Sequence, residues 1–171
     1  MKNKNKKLLI ILIFTCLFMF AFSFMLIPFY NLICKTFGIT GKTNSTATTE
    51  SKKIDVSRSI TIQFLANVNT TLPWQLYPQQ KQINIHPGEN QTIFYIAKNN
   101  SNETITAQAV PSVTPGIAGN YFKKIECFCF RKQTLQPHQE IKMPVIFYID
   151  PQLPKNIHEI TLLYTMYTDN N

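Results

Sequence analysis

Twenty-two consecutive residues, Leu8 to Phe29, carry no charge and are mostly Leu, Ile, Phe and Met. As a helix rising about 1.5 Å per residue they reach about 33 Å, enough to cross a bilayer core of about 30 Å. Lys2, Lys4, Lys6 and Lys7 precede the run. Positive charge is retained on the cytoplasmic side, so the N-terminus is expected inside and the rest of the chain outside. The run is longer than the apolar core of about 7–15 residues found in signal peptides, and no small-residue cleavage site follows. An uncleaved, single-pass signal-anchor is therefore expected.

This segment sets the division of the chain: 1–7 a basic cytoplasmic tail, 8–29 the transmembrane helix, 30–53 a juxtamembrane segment and linker, and 54–171 an extracytoplasmic domain. Asn44 to Lys53 is rich in Ser, Thr and Lys and has no large apolar residue, the composition of a flexible linker. The net charge of +8 owes four units to the N-terminal lysines. With no basic helical face and no zinc-finger or RNA-recognition signature, nucleic-acid binding is not expected.

From Ile54 the pattern has period two. Ile54, Val56, Ile60, Ile62, Phe64, Ala66 and Val68 share even positions, with mostly polar residues between them. Such alternation marks one long half-buried strand or two short ones. Further runs lie at Gln82–Ile85, Thr92–Ala97, Thr104–Val110, Tyr121–Phe130, Met143–Ile149 and Ile160–Met166. Turn signals separate them, among them His86-Pro87-Gly88-Glu89 and Leu135-Gln136-Pro137-His138, and Pro111 to Asn120 is expected as loop. About seven short strands and no helix-period stretch after the anchor predict an all-β, immunoglobulin-like β-sandwich behind a single N-terminal helix.

Catalytic patterns are sparse. His86, His138 and His158 fall in turns or at a strand start and are expected to be solvated, and no nucleophile elbow or phosphate-cradling glycine loop occurs. No enzymatic role is expected. The chemistry lies in the thiols. Cys16 is within the apolar run and is expected to act as a small buried hydrophobe. Cys127 and Cys129 sit in Glu126-Cys127-Phe128-Cys129-Phe130. On an extended strand residues i and i+2 share a face, with Cα atoms roughly 6.6 Å apart, near the upper limit for a disulfide. Two outward-facing thiols with Phe128 and Phe130 anchoring the opposite face would suit Cu(I), which selects soft thiolates. Lys123, Lys124, Arg131 and Lys132 flank the pair, and nearby positive charge favours thiolate, although solvated surface charge is equally ordinary. Two half-buried cysteines, or one of them bonded to Cys34, is the competing reading. Cys34, Met143 and Met166 are candidates for a third ligand, with packing the plainer role for both methionines.

Several motifs together resemble a known family. They are Pro28, Tyr30 and Cys34 with Gly38 and Gly41 after the anchor, Ile62-Gln63-Phe64-Leu65-Ala66-Asn67, Pro73-Trp74, Pro87-Gly88-Glu89, and Val113-Thr114-Pro115. Tyr121-Phe122-x-Lys124-Ile125 then leads into Cys127-Phe128-Cys129-Phe130, and Met143-Pro144-Val145, Asp150-Pro151 and Thr161-Leu162-x-Tyr164-Thr165 complete the set. Over nearly its whole length the chain resembles the CtaG-type copper chaperones of cytochrome c oxidase assembly. One departure is His138-Gln139-Glu140, where the family usually has Gly-Glu after the proline.

The resemblance implies Cu(I) at Cys127 and Cys129, with Cys34 taking part in loading or transfer. It implies delivery to the CuB site of cytochrome c oxidase subunit I, a copper-donor protein upstream, and a homodimer. The short N-terminus has no Arg/Ser-rich amphipathic transit segment, so a bacterial inner membrane with the domain in the periplasm is expected. Two other readings remain: an extracytoplasmic thiol–disulfide reductant for oxidase cysteines, and a structural β-sandwich with incidental cysteines.

Overall fold

The computed structural model of the chain describes residues 2–37, 48–51 and 53–169; within the helix, side chains are described for residues 6–33. The chain divides into two compact units, a helix and a β-domain. Helix α1 runs Lys2–Phe37, longer at both ends than the uncharged run, and continues through Pro28. Its stretch Lys6–Ile33 is apolar and long enough to cross a membrane. The few polar side chains there bond within the helix, Thr15 Oγ1 donating to the Ile11 carbonyl at 2.8 Å and Ser23 Oγ to that of Met19 at 3.0 Å. Hydrocarbon offers no other partner for such groups. Cys16 is a free thiol on the surface of the apolar helix.

The β-domain is a two-layer sandwich. Its strands are β1 (Ile60–Val68), β2 (Trp74–Pro78), β3 (Gln82–Ile85), β4 (Gln91–Asn99), β5 (Ile105–Thr114), β6 (Phe122–Cys127), β7 (Gln133–Leu135), β8 (Glu140–Ile149) and β9 (Glu159–Thr168). One sheet has the order β3-β1-β9-β5-β7 and the other β2-β4-β8-β6. The β1–β9 pair is parallel and the other ladders are antiparallel. The alternating apolar residues of each strand meet between the layers: Ile62 and Phe64 of β1, Leu162 and Tyr164 of β9, Tyr95 of β4, and Val145 and Phe147 of β8 are all buried.

Three expectations need correction. Ile54 and Val56 share parity with β1 but are exposed, and the strand begins only at Ile60. The Asp55 carboxylate accepts from the N–H and hydroxyl of Ser57, a local turn that competes with extension. Pro111 lies inside β5, not in a loop. Its neighbour β7 pairs only as far as Ala107, so the outer edge of β5 has no partner strand where Pro111 lacks an N–H. The stretch read as a free linker is, where described, bonded to the domain: Thr48 N–H donates to the Lys124 carbonyl at 2.8 Å and Ser51 N–H to Asn90 Oδ1 at 3.2 Å.

Two turn residues show why the backbone matters. Gly88 has φ +86°, and a Cβ there would lie 1.8 Å from the Lys53 carbonyl oxygen. Its glycine is required both by conformation and by the chain crossing over it. His138 has φ +58° in the turn before β8. That is the left-handed region, which favours glycine and which other L residues rarely adopt. In this chain the His138 ring bonds Asn102 Oδ1 at 2.9 Å through Nε2.

Candidate metal centre

Strand β6 pairs with β8 in regular register from Phe122 to Lys124, then shifts between Lys124 and Glu126. Ile125 is the extra residue of a β-bulge, which resets the alternation. Phe122 and Lys124 face inward on even positions; after the bulge Cys127 faces inward on an odd one. The strand ends there, and Phe128–Phe130 form a 3-10 turn that carries the chain toward β7, at the edge of the opposite sheet.

The pair is therefore not displayed on an extended strand. The turn brings the Cα atoms of Cys127 and Cys129 to 5.1 Å, and the two residues form a disulfide. Extended backbone through Phe128 would hold the two Cα atoms farther apart, and the 3-10 turn replaces it. Nor do the sulfurs face outward, for Cys127 and Cys129 are only 5% and 8% exposed. Phe128 does anchor the segment. Its ring packs on Tyr164 and Tyr95, with centroids at 4.8 and 5.7 Å.

Every polar group recorded on the two sulfurs is a donor. The Tyr164 hydroxyl lies 3.0 Å from Cys127 Sγ and, since a disulfide sulfur carries no proton, it donates. The Cys129 N–H donates to the same sulfur at 3.1 Å. Cys129 Sγ receives Lys124 Nζ at 3.8 Å and the Tyr164 hydroxyl at 3.9 Å. Tyr164 reaches the pair from β9 of the other sheet, so both layers build the centre. Burial, followed by the neighbouring Tyr95, holds the Tyr164 phenol well above its ordinary pKa, so it stays protonated and able to donate. Burial lowers the Lys124 ammonium to about 8. These donors do little for a neutral disulfide but favour negative charge on sulfur once the bond is reduced.

Of the four flanking cations, Lys124 alone has a recorded contact with sulfur. Lys132 pairs with Asp169, Arg131 is exposed and Lys123 half-buried. A groove of about 650 Å³ reaches Cys127 from the side, lined also by Phe128, Phe130, Arg131, Lys132 and Met143 among others. Met143 and Met166 are both buried in the core. The Cys34 backbone lies in α1, but its side chain is outside the described residues, so its expected part in the centre is not placed. Among the described residues no three His, Cys, Asp or Glu side chains cluster as a metal site. His86 is half-buried, its Nδ1 2.7 Å from the Arg58 carbonyl oxygen, not a solvated turn residue.

Lys124 and Tyr164 are the functional candidates that motif reading undervalued. Both carried a signal. Lys124 shares inward parity with Phe122, and Tyr164 sits in the inward series Ile160, Leu162, Tyr164, Met166, where a buried hydroxyl needs a partner.

The sequence profile of the family described as "Cytochrome c oxidase assembly protein CtaG/Cox11" matches residues 26–168. A cytochrome c oxidase assembly protein CtaG of Ehrlichia ruminantium (strain Gardel) is 39% identical, over 98% of this chain and 96% of its own length. The protein of that name from Chelativorans sp. (strain BNC1) is 41% identical over 89% of this chain and 76% of its own. The one from Paracoccus denitrificans is 40% identical over 86% and 77%.

Proposed function

The chain belongs to the CtaG/Cox11 family of cytochrome c oxidase assembly proteins, and on that premise we propose that it carries Cu(I) on Cys127 and Cys129 and hands it to the CuB site of oxidase subunit I. The observation that carries this reading is the ring of donors around two adjacent sulfurs. The donor set suits the ion: soft sulfur for a soft cation, with hydrogen bonds that favour thiolate.

Copper here is cargo. The Cys127–Cys129 disulfide first takes two electrons and two protons from an extracytoplasmic dithiol, which becomes a disulfide in turn. Cu(I) from a donor protein then replaces the two thiol protons, which leave to solvent. Tyr164 and the Cys129 N–H hold the Cys127 sulfur in place throughout. Release follows by ligand exchange to imidazoles of subunit I, and the thiolates are reprotonated. The anchor keeps the domain at the membrane where that subunit lies, in a bacterial inner membrane with the domain on the periplasmic side. The chain acts as a carrier, not a catalyst.

A second reading has one observation in its favour, the closed disulfide itself. A thiol–disulfide exchanger would use the same pair to reduce oxidase cysteines. The Cys-x-Cys spacing counts against it, because redox pairs usually stand as Cys-x-x-Cys in a βαβ setting, and this domain is a β-sandwich. Titration with Cu(I) of the full chain in detergent, in reduced and disulfide forms, separates the two. Uptake by the reduced form alone, with a thiolate-to-copper ultraviolet band, is expected. Equal uptake by the disulfide form, or no uptake by either, overturns the copper reading.

A further inference from the structure

Resting on the copper reading, we propose that Lys124 sets the charge selectivity of the centre, favouring a monovalent over a divalent ion. Its side chain is only 1% exposed. The ion pairs among the described residues are Arg58–Asp55 and Lys132–Asp169, so no carboxylate neutralises it. Its recorded partners are Cys129 Sγ at 3.8 Å and the face of the Phe130 ring, 5.5 Å from Nζ to centroid. A buried cation is costly unless paired, and a neutral disulfide sulfur is a poor acceptor. The missing counter-charge appears when the sulfurs become thiolates.

The charges then decide the metal. Two thiolates and Cu(I) sum to one negative charge, which the Lys124 ammonium cancels. With Zn(II) the thiolates are already neutralised, and Lys124 leaves the buried centre with one net positive charge. Net charge in a poorly solvated site is penalised. The other donors, the Tyr164 hydroxyl and the Cys129 N–H, are neutral and favour thiolate whichever ion is bound. Lys124 alone among these groups discriminates by valence. Zinc is the relevant competitor because it too binds cysteine thiolates.

The test uses the reduced full chain in detergent under anaerobic conditions. Cu(I) and Zn(II) affinities are measured by competition with chromophoric chelators, for the wild type, Lys124→Met, Lys124→Gln and Lys124→Arg. Methionine keeps the volume without the charge, and arginine keeps the charge. Cu(I) affinity is expected to fall about 10–100-fold in Lys124→Met, with Zn(II) affinity unchanged or raised, and Lys124→Arg should restore the Cu(I)-to-Zn(II) ratio. Should Lys124→Met lose its fold, read from the fluorescence of the buried Trp74, Lys124→Gln supplies the same comparison. An equal fall for both ions would reduce Lys124 to a packing role and overturn the proposal, as would an unchanged ratio in a charge-free variant. Wild-type protein that takes up no Cu(I), or takes it up undiminished after Cys127→Ser/Cys129→Ser, sinks the copper reading itself and is distinguishable from failure at Lys124.

Discussion

Replacing Cys127 and Cys129 together by serine is expected to cut cytochrome c oxidase activity, in cells that depend on this chain, to the level of a strain lacking it. Serine removes the soft donors and leaves hard hydroxyls with little affinity for Cu(I). The chain itself should still accumulate. The disulfide spans a sequence separation of only 2, so it restricts the unfolded chain far less than a long loop closure would. Oxidase that matures normally on the double variant would return these cysteines to a structural role. Western detection of the chain alongside oxidase activity checks both halves of the expectation.

The second large effect is expected in the core beneath the centre. Phe147 of β8 is fully buried, its ring stacked on Phe122 at 4.7 Å and set edge-on to Phe64 at 6.0 Å. It therefore joins β8, β6 and the opposite sheet. Phe147→Ala removes a large apolar side chain and leaves a cavity, at a cost of about 3–5 kcal/mol. That is a large part of an ordinary domain stability of about 5–15 kcal/mol. The urea midpoint, followed by Trp74 fluorescence, should fall by about 2 M for a slope near 2 kcal/mol per M. A shift of a few tenths would mean that the site collapses around the smaller side chain. Because Lys124 stands opposite Phe147 in the β6–β8 ladder, weaker Cu(I) binding in this variant is also expected.

Much of the sandwich was legible because half-buried strands advertise themselves. The alternations at 60–68, 143–149 and 160–166 reflect one face in the core and one in water. Two strands escaped notice for physical reasons. Trp74–Pro78 is framed by Pro73 and Pro78, which read as loop signals, and Gln133–Leu135 is too short to show a period. The identity of the cysteine pair was legible, but its geometry was not. A bulge at Ile125 shifts parity by one, and the following 3-10 turn has no glycine or proline to announce it. A strand rule applied across that bulge puts the thiols on the wrong side of the sheet. The same shift places Phe122, Lys124 and Cys127 all toward the core, so a lysine that looked like surface charge becomes a partner of sulfur.

X-ray absorption at the copper edge, on the reduced full chain loaded with Cu(I), tests the central claim most directly. The expected spectrum shows Cu(I) with sulfur neighbours, lost in Cys127→Ser/Cys129→Ser. Coordination by nitrogen and oxygen alone, or sulfur scattering that survives the double substitution, would contradict it.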